Sequence, residues 1–201
     1  MGLNNWNSVQ VNRAIQTWGD QTPPYLIYMY ESAISGGNSW LDLGCGFGRF
    51  LNYLTLKIED PSYIGYDSSP SMIEAIRLNF PHFTPQTVLR NITLPIIHSQ
   101  QVILCAAVLI HLSLNEQDRV LNNIMLNQPL TVVFDINNPI KDITYERIIK
   151  LSGGQFRMTW QSKTKMIQKL NKLFPNYTIS HKEFPLNNDR QKVTFILTKD
   201  I

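Results

Sequence analysis

Cysteine is scarce in this chain: Cys45 and Cys105 are the two among 201 residues. Two thiols in unrelated contexts make neither a disulfide framework nor a zinc-ligand spacing, so the composition fits a reducing compartment. Long apolar runs are missing too. No uncharged stretch approaches ~18 residues, which argues against a membrane-spanning helix. The first twenty residues, with Trp6, Asn7, Arg13 and Asp20, lack the apolar centre of a secretory signal. Charge is thin, at 16% of residues, against 43% hydrophobic residues, a balance that folds rather than stays disordered. No internal repeat or low-complexity tract interrupts the chain. These absences leave the expectation of one cytoplasmic domain over 1–201, with 1–37 a helical cover on a core at 38–201.

What charge there is lies unevenly. Residues 141–201 hold 12 Lys/Arg and 5 Asp/Glu, so the basic excess sits in the C-terminal third. Such a surface can attract an anionic substrate or a nucleic acid. A solvated helix face explains it equally simply, because many of these charges fall in "KTKMIQKLNKLF".

Strand and helix patterns alternate along the chain. "TPPYLIYMYESAISGG" reads as a helix with Pro23 and Pro24 at its start and Gly36 and Gly37 past its end. Strands are expected at "SWLDLG", "SYIGYD", "TPQTVLRN", "QQVILCAA" and "LTVVFDI". Helices are expected between them at "RFLNYLTLKI", at "SPSMIEAIRLNF" behind Ser68 or Ser69, and at "SLNEQDRVLNNIML" behind Ser113 or Asn115. Two helical stretches near 141–151 and 162–174 precede a last pair of alternating strands, "YTISHKEF" and "QKVTFILTK", joined as a hairpin by "PLNNDR". The order predicts an α/β, doubly wound, mostly parallel sheet with helices on both faces. Ligands of such sheets bind at the carboxyl ends of the strands.

The segment "LDLGCGFGRF" spans 41–50, where the first strand ends and a helix begins. Glycines there let the chain turn sharply and let a ligand approach the backbone. The spacing G-x-G-x-G is not that of a dinucleotide fold, whose third glycine would fall at Arg49. No Gly-Lys-Ser/Thr phosphate loop is present. The carboxylate of Asp42, just ahead of the loop, would repel a pyrophosphate and suit a ligand carrying an ammonium group.

These residues resemble the first motif of class I S-adenosylmethionine-dependent methyltransferases. "YIGYDSSPSMI" is similar to the second motif, with Asp67 nineteen residues after Gly48. "VLRNITLPI" and "VILCAAVLIHLS" resemble the third and fourth, and the likeness runs over roughly 15–200. It implies a Rossmann-like sheet of seven strands with an antiparallel last strand. It also implies S-adenosylmethionine as methyl donor, with S-adenosylhomocysteine as product. Carried onto this sequence, Asp42, Gly44, Cys45 and Gly46 would meet the methionyl end. Asp67 would accept from both ribose hydroxyls, next to Ser68. Met72, Asn91 and Ile92 would meet the adenine, and Ala106 belongs to the same cofactor set. Asn91 stands where the family usually has Asp, so its amide oxygen would accept without charge assistance. Met72 suits ordinary helix-to-sheet packing equally well.

Other missing signals narrow the acceptor. The Asp/Asn/Ser-Pro-Pro-aromatic motif of amino-methylating DNA enzymes would follow strand four, where "CAAV" stands; "TPPY" at 22–25 lies too early. There is no Pro-Cys pair for cytosine-5 chemistry, and no acid ends strand four, so no metal is expected. A small-molecule oxygen or nitrogen acceptor remains the leading reading. RNA, DNA or protein modification and a non-catalytic cofactor-binding subunit are the alternatives, and nucleic acid is not the favoured partner. His111 is the candidate general base, with a structural role as the alternative. Trp18, Asp135, Asn137 and Trp160 are the acceptor-side candidates, where an aromatic ring can enclose an apolar or cationic substrate.

Overall fold

The computed structural model describes Asn12 and residues 22–80, 86–151 and 154–200. Trp18, expected on the acceptor side, lies outside the described residues. Five helices are described: α1 (Pro24–Ser35), α2 (Arg49–Thr55), α3 (Pro70–Asn79), α4 (Leu114–Asn127) and α5 (Lys163–Leu173). The strands are β1 (Ser39–Leu43), β2 (Ser62–Asp67), β3 (Gln86–Leu89), β4 (Val102–Cys105), β5 (Thr131–Pro139), β6 (Tyr145–Leu151), β7 (Gly154–Trp160), β8 (Tyr177–Asn187) and β9 (Arg190–Lys199).

Strands β3, β2, β1, β4 and β5 lie side by side and parallel. β9 runs antiparallel along the whole of β5, and β8 pairs antiparallel with β9. These seven strands are the doubly wound sheet that the sequence predicts. The side-chain period of two sends alternate residues to opposite faces. Leu41, Leu43, Ile103, Cys105, Val132 and Phe134 pack with Leu121 and Ile124 of α4 and Met166 and Leu170 of α5. Trp40, Val102, Leu104 and Val133 pack with Met29 of α1, Leu51 of α2 and Ile76 of α3. The indole N–H of Trp40 donates to the Ala33 carbonyl at 2.9 Å, tying α1 to β1. Ser69 and Ser113 cap α3 and α4 as expected, Ser113 in a reciprocal capping box with Glu116.

One prediction fails. Residues 141–151 do not form a helix; Tyr145–Leu151 is β6, paired antiparallel with β7, and among the described residues the sheet has nine strands rather than seven. The cause is the length of β5. β4 accompanies it only from Thr131 to Phe134, leaving the far end of that edge without a partner. β7 takes the position, with Asn137 opposite Trp160 and the Gln161 N–H donating to the Asn137 carbonyl at 2.8 Å. The added hairpin therefore stands at the carboxyl ends of the strands. The final hairpin is also tighter than "PLNNDR" implied, because β8 continues to Asn187 and β9 begins at Arg190.

Candidate functional site

The loop after β1 is held open by its own glycines. Gly44, Gly46 and Gly48 have φ of +77°, +56° and +90°. The N–H groups of Gly44 and Cys45 both donate to the Tyr66 carbonyl, at 2.7 and 3.0 Å, which pins the loop to the end of β2. A Cβ on Gly44 would stand 2.4 Å from Val108 Cγ2, so that glycine serves close packing with the loop after β4. A Cβ on Gly46 would meet nothing nearer than the Met72 sulfur at 4.0 Å. Gly46 therefore faces open space.

That space is a cavity of about 560 Å³, within the range of small-molecule sites. One half is lined by the predicted cofactor residues: Asp42, Gly44, Cys45 and Gly46 from the first loop, Asp67, Ser68 and Met72 beyond β2, and Asn91, Ile92 and Ala106 beyond β3 and β4. His111, Asn137 and Trp160, expected on the acceptor side, line the same cavity. Asp135 is the exception. It is fully buried behind the wall, where its Oδ2 accepts from Lys192 Nζ at 2.5 Å and its Oδ1 from the Ala107 N–H at 2.5 Å. The second bond holds Ala107 at φ +59°, a backbone state rare outside glycine, so Asp135 shapes the turn after β4.

Asp67 is fixed on both oxygens. Oδ2 accepts from the Gly46 N–H at 2.9 Å and Oδ1 from the Ser69 N–H at 2.8 Å. Each carboxylate oxygen has a further lone pair to offer a ligand. Burial raises the Asp67 pKa, opposed by the backbone N–H groups of Ser69, Gly46 and Ser68. Asp42 lies deeper. Burial pushes its pKa up to about 7, the Tyr63 hydroxyl donating to Oδ2 at 3.1 Å opposes the shift, and the nearby Asp67 charge adds to it. The same burial and the two carboxylates raise the Cys45 thiol well above its ordinary value, which makes it an inert packing group. Asn91 Oδ1 accepts from both the N–H and the hydroxyl of Thr93, each at 2.9 Å. Both Oδ1 lone pairs are thereby engaged, so its NH₂ group is what it can offer a ligand, contrary to the expected acceptor role.

His111 closes the 3₁₀ turn Leu109–His111. Its Nδ1 lies 3.2 Å from the Arg157 carbonyl. A carbonyl only accepts, so Nδ1 carries the hydrogen and Nε2 is the basic nitrogen. Burial lowers the His111 pKa, with the Arg157 carbonyl opposing and the Lys192 charge lowering it further. The sequence reading missed several lining residues: Arg49, Ile149, Phe156, Met158, Leu186, Arg190 and Lys192. Ile149 sits in the strand expected to be a helix, and Phe156 and Met158 in the strand β7 paired with it. The one available signal for Lys192 was a lysine directly ahead of the apolar-rich run "VTFIL" of β9.

Residues 41–126 match the family profile described as "Methyltransferase domain". "Putative methyltransferase 235L" of Invertebrate iridescent virus 6 is 31% identical over 55 residues, 27% of this chain and 21% of that protein. The chain thus spans about a fifth of the length of this curated relative. The CcbJ methyltransferase of Streptomyces caelestis superposes with a TM-score of 0.67 at 13% identity, covering 98% of this chain and 100% of CcbJ. The chain thus has the fold of these methyltransferases, and its residues 41–126 match their domain profile. The glycopeptide N-methyltransferase MtfA, solved with S-adenosylhomocysteine, superposes with a TM-score of 0.63 at 10% identity over 94% of this chain and 96% of MtfA.

The cavity's lining can be compared with S-adenosylmethionine, the donor that the sequence resemblance implies. The open face of Gly46 leaves room beside the loop, and Asp67 presents acceptor lone pairs next to it. Asp42 places a carboxylate at the loop end, and the side chain of Arg49 also lines the cavity, so an amino acid's two charges both find a counterpart. Among the described residues, no group of three or more His, Cys, Asp or Glu side chains is arranged to hold a metal ion, and no helix is long and apolar enough to cross a membrane.

Proposed function

We propose that this methyltransferase moves a methyl group from S-adenosylmethionine to an oxygen or nitrogen of a small molecule, without a metal. The observation that carries the reading is the continuity of the cavity. One space joins the Gly46–Asp67 end to the His111–Trp160 end, with no wall between donor and acceptor halves. When bound, the sulfonium supplies an electrophilic methyl group for in-line displacement. The protein's task is then alignment. Asp67 and the glycine loop would hold the nucleoside, while Asn137 and Trp160 would orient the acceptor. His111, neutral near pH 7 because of its lowered pKa, would take a proton at Nε2 from an acceptor hydroxyl or ammonium. MtfA, which methylates a nitrogen of a glycopeptide, supports the choice of a heteroatom acceptor. A nucleic-acid acceptor draws little support from the basic C-terminal third, where Arg157 pairs with Glu146, Lys163 with Glu183 and Lys169 with Asp118.

The test is incubation of the protein with S-adenosylmethionine labelled in its methyl group and a fractionated cell extract. Label entering the small-molecule pool is expected. Label confined to nucleic acid or protein would replace this acceptor class, and tight donor binding with no transfer to any pool would favour a non-catalytic role.

A further inference from the structure

The acceptor half of the cavity has a charge pattern of its own. Its walls are apolar: Ile149, Phe156 and Met158 from the β6–β7 hairpin and Leu186 from β8. Three positive side chains line the whole cavity, Arg49, Arg190 and Lys192, against two carboxylates, Asp42 and Asp67. Both carboxylates stand at the glycine-loop end. Lys192 is already neutralised by Asp135. Arg190 is different. Among the described residues no carboxylate lies within ion-pair distance of its guanidinium, although Arg157, Lys163 and Lys169 nearby in sequence all have one.

Arg190 is also held in place. Its guanidinium carbon sits 5.1 Å above the Trp160 ring, and Tyr145 stacks on that ring at 4.9 Å with 14° between the planes. Trp160 thus already carries a stacked ring and a guanidinium as partners. The backbone around Arg190 is fixed as well, since it lies opposite Pro139 of β5 and Asn187 of β8. An arginine held on an aromatic face presents its planar fork in a set direction, and a fork of that kind matches a carboxylate or phosphate.

We infer that the acceptor is a small apolar molecule carrying one oxyanion, a carboxylate or a phosphate monoester, which Arg190 binds at the mouth of the cavity while the β6–β7 hairpin encloses the apolar body. The inference rests on the methyl-transfer reading above and deepens it. Arg190 is a binding and specificity residue here; the methyl donor does not depend on it.

The test uses the whole chain saturated with S-adenosylhomocysteine, with saturation established by calorimetry. Ligand-observed NMR then compares four probes of one shape: phenylacetate, phenyl phosphate, phenylacetamide and phenethylamine. Binding of at least one anion is expected, at least tenfold tighter than the amide, with the amine weaker still. Whichever anion binds tighter identifies the oxyanion. Arg190→Gln is expected to abolish the preference while leaving S-adenosylhomocysteine affinity and near-ultraviolet dichroism unchanged, and Arg190→Lys to restore part of it. Equal binding of the neutral or cationic probes, binding of neither anion, or a preference that survives in Arg190→Gln would overturn the inference. Failure of the chain to bind S-adenosylhomocysteine would instead strike the methyl-transfer reading itself.

Discussion

Gly44 and Gly46 share one loop and one sign of φ, yet a methyl group added to each meets different things. At Gly44 it runs into Val108, and at Gly46 it enters the cavity. Alanine at either position carries the cost of a positive φ, ~1 kcal/mol or somewhat more. Gly44→Ala adds overpacking of about 1–3 kcal/mol. Chemical denaturation is expected to show Gly44→Ala as the less stable of the two, with Val108→Ala recovering part of the difference. Calorimetry with S-adenosylhomocysteine is expected to show the affinity loss in Gly46→Ala. Equal loss of affinity in both would mean that the loop faces elsewhere. Asp67 gives the second test at this scale. Asp67→Ala should weaken nucleoside binding by ~1.5–3 kcal/mol, the scale of hydrogen bonds to a charged group. Wild-type affinity in that variant would remove Asp67 from the site.

Capping and periodicity made most elements readable in advance, and the exceptions have identifiable causes. The start of α4 was legible because Ser113 and Glu116 satisfy each other's end groups, with the Ser113 N–H donating to Glu116 Oε2 at 2.8 Å and the Glu116 N–H to Ser113 Oγ at 3.3 Å. Ser113→Ala is expected to cost about 1 kcal/mol of stability and to leave S-adenosylhomocysteine affinity unchanged, measured by urea unfolding and calorimetry. A loss well beyond 2 kcal/mol would mean that the cap also supports the neighbouring His111 turn. The β6–β7 hairpin was not legible. Tyr145, Ile148 and Ile149 fall at i, i+3 and i+4, the helical spacing. Ile148 is the residue that misleads, an exposed isoleucine on the outer face of β6. What makes the segment a strand is the uncovered end of β5, a feature of the assembled sheet that no local window contains. The same holds in the site. The glycine loop and Asp67 announce themselves by spacing, whereas Arg190 and Lys192 reach the cavity only because β9 returns antiparallel along β5. Asp135 shows the reverse, a strand-end acid with the right position in sequence that turns inward to Lys192.

Across the whole molecule the cavity runs from an acidic end to a basic one, and the acidic end bears on folding. A carboxyl group whose pKa rises on folding retains a proton that the unfolded chain releases. For Asp42 the window lies between the unfolded value near 3.9 and about 7 in the folded state. Through that window stability falls as pH rises, because deprotonation drives the equilibrium toward the unfolded chain. Asp67, also raised, acts in the same direction. His111, whose pKa is lowered, acts in the opposite one: the unfolded chain takes up its proton first, so this contribution is lost as pH falls below 6.5. The opposing trends blur in the wild-type curve, and a single variant separates them. Asp42→Asn removes the titrating group and keeps the shape. Its melting temperature relative to wild type is expected to climb from pH 5 to pH 8, where the wild-type carboxylate is charged and buried. The check is a set of calorimetric melts of both proteins across that range. A difference that stays constant with pH would mean that Asp42 is solvated and ionised throughout, and that the loop end of the cavity is wetter than its geometry implies.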